Sequence, residues 1–287
     1  MGYSSRKFVS LYWLSMIALH FCLISTYVPL MRACLAFAPV SGTVDMLDDR
    51  YFYFKDGRVH CTCGLARQGM VEFLRMHAEE SIFLGAEWYL ALEAFKNNRS
   101  VIGFTVEQMV ISRIVSSGLK FGGNDSIPMA PILAFSGSVA ALSTDKPSIY
   151  YVPLKFNLKA IDALYVAVDM AKRTARVVAI QITVAKRHKD SAAAFFADWD
   201  QWTKLLNGFT LEATFLWIVE DKRGKEEMEK TLVKLRTRTI ITSPAHSVFW
   251  VTVDQVDKDL GLILKSIRPV GGDQDGGRRG RRPRGGQ

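Results

Sequence analysis

Residues 161–190, IDALYVAVDMAKRTARVVAIQITVAKRHKD, constrain the fold more than any other stretch, because they read as two neighbouring strands joined by a short turn. The segments IDALYVAV and RVVAIQITV predict strands over 161–168 and 176–184, rich in β-branched residues. A turn at DMAKRT, centred near Lys172, makes the pairing antiparallel and sets Asp162 opposite the neighbourhood of Ile182. Gln181 and Thr183 stand two residues apart and therefore share one face. A buried amide or hydroxyl without a partner costs on the order of 1–3 kcal/mol, so this polar group requires an explanation. Two are open: the three side chains satisfy one another or lie on a wet sheet face, or they form a site.

The surrounding pattern predicts an α/β chain. Phe104, Val106, Met109, Val110, Ile114 and Leu119 recur near helical spacing over 104–118, and a strand follows at 148–156. After the strand pair, 191–207 reads as one helix with Asp190 and Ser191 at its N-cap and Gly208 just past its end. LEATFLWIVE, residues 211–220, reads as a last buried strand. The expected order is helix, three strands, helix, strand: a mixed sheet flanked by helices. Outside it, 40–60 suggests short strands and 64–98 helices with Trp88 and Leu92 in the core. A loop is expected from Gly122 through Pro131, over the site or joining helix to sheet. An amphipathic helix is expected at 224–238, a strand at 247–253 and one closing helix at 254–267.

The segments GFTVEQMVISRI, SIYYVPLKFNLKAIDALYVAV and VVAIQITVAKRHKDS resemble the C-terminal region of Crinkler and retrotransposon hot spot effectors, over about residues 100–220. The resemblance implies a restriction-endonuclease-like core of the PD-(D/E)xK type, α-β-β-β-α-β, with a helical N-terminal extension. Carried over position by position, it assigns Glu107 to the first helix, Asp162 to the second strand, and the Glu-x-Lys element to Gln181 and Thr183. In enzymes of that type the carboxylates hold Mg²⁺ and the lysine helps activate the attacking water. The resemblance therefore implies Asp162, Glu107 and Gln181 as metal ligands, with Thr183 in the lysine's place. Gln offers a neutral oxygen and Thr cannot replace an ammonium. Lys186 could take the lysine's role only across a bulge, since a regular strand points it to the other face. Metal-dependent cleavage and nucleic-acid binding without cleavage are both open on these residues, and a solvated helix glutamate is open for Glu107.

Charge points to a polyanion. The chain carries a formal charge of +9, and between Lys155 and Lys204 nine Lys and Arg stand against five acids. Lys186, Arg187, His188 and Lys189 directly follow the second strand, where a phosphate backbone would need positive charge. The tail from 268 to 287 concentrates Arg278, Arg279, Arg281, Arg282 and Arg284 among Gly and Pro. Such a tail cannot fold alone and suits nuclear import or nucleic-acid contact, DNA ahead of RNA, with a disordered terminus of no specific use also open. Nuclear action also follows from the resemblance.

At the other end, residues 8–31 contain no Lys, Arg, Asp or Glu, enough for a membrane-spanning helix. Ala36-Phe37-Ala38 offers a signal-peptidase pattern, so residues 1–38 read as a signal peptide, a membrane anchor of a chain whose basic tail faces anionic lipid, or a replaced start. The chain therefore divides into 1–38, an extension at 39–99, a nuclease-like domain at 100–267 and the 268–287 tail. DDRYFYFKDGRVHCTCGLARQGMVEFL resembles the linker after the family's upstream ATPase. No GxxxxGK[ST] is present, so ATP is not expected. The HCTCG run around Cys61 and Cys63 lacks a second ligand pair at zinc spacing.

Overall fold

The computed structural model describes residues 52–55, 58–61, 84–94, 96–123, 125–135, 139–153, 158, 160–184, 191–236 and 244–267. Two strands, β1 (Phe52–Lys55) and β2 (Arg58–Cys61), pair as a hairpin. The main sheet is organised around the two longest strands, which neighbour one another. TARVVAIQIT forms β8 (Thr174–Thr183), and TLEATFLWIV forms β9 (Thr210–Val219), parallel to it. Both are buried on both faces through most of their length, as unbroken apolar runs should be.

Four more strands complete the sheet: β5 (Ile132–Phe135), β6 (Ser148–Pro153), β7 (Ala163–Asp169) and β10 (His246–Thr252). Their order is β10-β9-β8-β7-β6-β5. β7 is antiparallel to both its neighbours, while the remaining pairs are parallel, so five strands point one way and β7 alone points back. The start of β7 therefore lies at the same end of the sheet as the carboxyl ends of the other five.

One face is covered by α1 (Ala86–Ala94), α2 (Arg99–Ser117), α6 (Val253–Val256) and α7 (Lys258–Ser266). Trp88, Leu92, Met109 and Ile114 meet Tyr150, Val178 and Ile180 there. The opposite face is covered by α3 (Ser191–Ala197) and α4 (Trp199–Trp202), whose Phe195, Phe196 and Trp202 pack on Phe215 and Trp217. α5 (Lys222–Arg236) connects β9 to the parallel β10 and packs against both. The molecule is an α/β sandwich with a mixed six-stranded sheet and flanking helices.

α2 starts five residues before the apolar spacing suggests, because Asn98 Oδ1 accepts the Val101 N–H at 3.3 Å as an N-cap. It ends at Gly118, whose φ of 71° is open to glycine and whose added Cβ would meet the Ile127 carbonyl at 2.7 Å. The expected loop from Gly122 through Pro131 is instead a hairpin of β3 (Leu119–Phe121) and β4 (Asp125–Ile127) at its start, and only 128–131 run as loop into β5. Arg176 of β8 holds this hairpin, donating to the Ser126 carbonyl at 2.7 Å and pairing with Asp125 at 3.1 Å.

Two expected single helices are broken. Between 191 and 207 the backbone leaves the helix at Asp198 and finishes in a 3-10 turn, Lys204–Leu206. Phe195, Trp199 and Trp202 nonetheless stay on one side, ring against ring. The closing helix divides into α6 and α7 at Asp257, which sits in extended backbone and caps α7 by accepting the Leu260 N–H at 3.0 Å. The halves pack so closely that a Cβ on Gly261 would meet the Asp254 Cβ at 2.3 Å.

Asp257 also ties the C-terminal helices to α1 and α2. Arg113 donates to Oδ2 at 2.9 and 2.7 Å, and the Tyr89 hydroxyl approaches at 3.3 Å. Burial works to raise the Asp257 carboxyl, but the Leu260 N–H, Arg113 and Tyr89 together outweigh it and hold it below its ordinary value. A depressed folded-state pKa stabilises above the unfolded value and loses that contribution as pH falls through the folded one. Asp257→Ala should therefore cost about 1–3 kcal/mol at neutral pH, and the gap to wild type should close in acid. Urea unfolding across that pH range is the check. A gap that persists unchanged in acid would show that the charge contributes nothing.

Candidate functional site

The polar group expected from the sequence assembles at the carboxyl end of the sheet. Ala163 faces Ile180 across the β7–β8 ladder, so Asp162, one step outward, meets Gln181. The turn spans 170–173, and Arg173 takes a positive φ of 52°, which places the register one residue from that expected with a turn centred at Lys172. Asp162 donates its own N–H to the Ile180 carbonyl at 2.9 Å. Its carboxylate Oδ2 accepts the Ile182 N–H at 2.7 Å and the Gln181 side-chain amide at 2.5 Å.

This geometry has a plain cause. β7 begins at Ala163, while β8 continues through Thr183, so the ladder loses its partner before β8 ends. The Asp162 side chain supplies the acceptor that the missing strand would have offered to the Ile182 N–H. Asp162, Gln181 and Thr183 are all buried, at 4–6% exposure, so the group is not on a wet sheet face. Gln181 uses its NH₂ for the acid, and its Oε1 is buried with no hydrogen-bond partner among the described residues.

Glu107 comes from elsewhere. Gly103 of α2 lies against Val184, while Ile111 and Ile114 share an apolar lining with Ala163 and Ile180. Glu107 is midway along that stripe, so it approaches the end of β8 from the α2 face. Ile180 and Ile182 belong to that face, and alternation turns Gln181 and Thr183 to the other. Glu107 is not a solvated helix glutamate: it is 9% exposed and accepts the Gln108 amide at 3.1 Å. α2 is buried nearly all round, with Thr105, Gln108 and Ser112 enclosed as well. Sequence reasoning missed these three, since polar residues on a helix ordinarily mark its wet side.

Among the described residues no group of three His, Cys, Asp or Glu could hold a metal ion. Glu107 comes from the α2 face, the Asp162 carboxylate lies in line with the β8 ladder, and Gln181 turns its nitrogen, not its oxygen, to the acid. Lys186, Arg187, His188 and Lys189 lie outside the described residues, as do Arg278, Arg279, Arg281 and Arg282. Residues 8–31 do too, and no helix among the described residues is long and apolar enough to cross a membrane. Val184 and Ser191, which bracket the basic run, are both placed, and Val184 leaves the sheet at the Asp162 end.

Comparison with protein-family models, with curated proteins and with solved structures finds no match to this chain.

The acid carries structural weight beyond any chemistry. Asp162→Ala leaves the Ile182 N–H and the Gln181 amide without their acceptor and should cost on the order of 2–4 kcal/mol. Asp162→Asn keeps a carbonyl oxygen for the Ile182 N–H and should cost about half as much. Chemical denaturation of both variants tests this. An alanine variant as stable as wild type would remove the ladder-end role. Asparagine is therefore the better probe of function, since it keeps an acceptor for the Ile182 N–H.

Proposed function

We propose that this chain is a nucleic-acid-binding protein of the Crinkler and retrotransposon hot spot type, built on a restriction-endonuclease-like core whose cleavage centre has been replaced. The observation that carries the reading is the Asp162–Gln181 contact. Where two carboxylates would need a cation between them, an acid and an amide satisfy one another directly. The charge of +9, the run from Lys186 to Lys189 and the arginines at 278–284 support a polyanionic partner, DNA ahead of RNA. A nuclear or secreted site of action accords with the tail and with the resemblance, and membrane anchorage through 8–31 is the competing location.

A second reading, Mg²⁺-dependent phosphodiester cleavage, draws on one feature. The Gln181 Oε1 is buried without a donor among the described residues, and a rotated amide would turn an oxygen toward a cation held by Asp162.

Purified protein incubated with supercoiled DNA, linear DNA and RNA in Mg²⁺ or Mn²⁺ separates the two. Retardation on a gel with intact nucleic acid is expected. Replacing Arg187 and Lys189 by alanine should lower the slope of log K against log salt by about 2. Cleavage that Asp162→Asn abolishes would establish the second reading, and absence of any retardation at low salt would end the first.

A further inference from the structure

Two asparagines open an Asn-x-Ser triplet, Asn98-Arg99-Ser100 and Asn124-Asp125-Ser126. Such a triplet, with any residue but proline in the middle, is the acceptor signal for N-linked glycosylation. Asn124 lies outside the described residues. Asn98 stands in the corner between α1 and α2, where Lys96, Asn97, Asn98 and Arg99 are all exposed.

The two ends of the Asn98 amide have different employment. Oδ1 accepts the Val101 N–H at 3.3 Å and caps α2, while Nδ2 makes no hydrogen bond among the described residues. A cap asks only for the oxygen, so the nitrogen is available without loss to the helix. The run of α2 also carries this corner outward. Gly103 packs against Val184, just past the end of β8, while Ile111 and Ile114 share an apolar lining with Ile180, further back along that strand. Asn98 stands about 7 Å beyond Gly103 in the same direction.

We propose that Asn98 is an acceptor for an N-linked oligosaccharide, an inference that goes beyond nucleic-acid binding and rests on the secreted location rather than the nuclear one. In the transfer, Nδ2 attacks C1 of an oligosaccharide carried on a polyprenyl pyrophosphate. The Nδ2–C1 bond forms, the C1–O bond to the pyrophosphate breaks, and one of the two amide hydrogens leaves as a proton. Oδ1 is untouched, so the glycosylated side chain still accepts the Val101 N–H and the modification is compatible with the folded helix.

The full chain translated with endoplasmic-reticulum microsomes should gain a glycan that an endoglycosidase removes. A parallel arm replaces residues 1–38 by a strong cleavable signal sequence, and protease protection confirms delivery to the lumen. Asn98→Gln and Ser100→Ala should each remove that glycan, and Asn124→Gln should leave it. Ser100→Ala keeps the Asn98 cap, so loss of the glycan there reports the acceptor triplet and not the helix. A protease-protected chain without a glycan, or a glycan that survives Asn98→Gln or Ser100→Ala, would overturn the proposal. A glycan gained only with the added signal sequence upholds the acceptor and removes the secreted location alone.

Discussion

The end of β8 depends on a side chain standing in for a strand. A sheet satisfies its backbone by pairing, and where one strand stops early its neighbour is left with donors and acceptors that burial will not tolerate. β7 begins at Ala163, and β8 needs one more acceptor at Ile182, which the Asp162 carboxylate provides. That contact fixes the register of the antiparallel pair at its far end, as the turn at 170–173 fixes it at the near one. The rest of the sheet is built outward from β8: β9 and β10 on one side in parallel, β7, β6 and β5 on the other. A burial-driven sheet of this kind tolerates the polar group because each member of the Asp162 contact either donates or accepts.

The strand pair, its turn and the closeness of Asp162 to Gln181 were legible in the sequence for this reason. Two polar residues inside an apolar strand can be afforded only if something meets them, and the hairpin leaves Asp162 within reach. Element types were equally legible wherever the apolar spacing ran long, as in α2 and β9. The breaks at Asp198 and Asp257 were not, because the apolar residues continue on one side through both bends and periodicity does not register a kink that preserves the face. β5 was hidden among prolines that read as loop. It is a strand because it can pair with β6, a tertiary fact. The solvated alternative for Glu107 fails for a related reason. Nothing local says that α2 is covered on nearly every side, so a glutamate in it reads as exposed when it is 9% exposed.

On the nuclease-derived reading, the two departures from the expected Glu-x-Lys together leave the formal charge of the group unchanged. An Asp, a Glu and a Lys confined together carry a net charge of minus one, and so do Asp162, Gln181 and Thr183. Losing the glutamate alone would leave an Asp–Lys ion pair to be desolvated in a buried strand end. Losing the lysine alone would leave two carboxylates in mutual repulsion, to be relieved only by a cation or a shared proton. Replacing both keeps the charge, keeps an acceptor for the Ile182 N–H, and puts a donor, the Gln181 amide, where the metal would have mediated. Asp162 serves the ladder irrespective of cleavage. What remains for function is the positive charge that the sequence attaches directly after β8, at the end of the sheet where that acid sits.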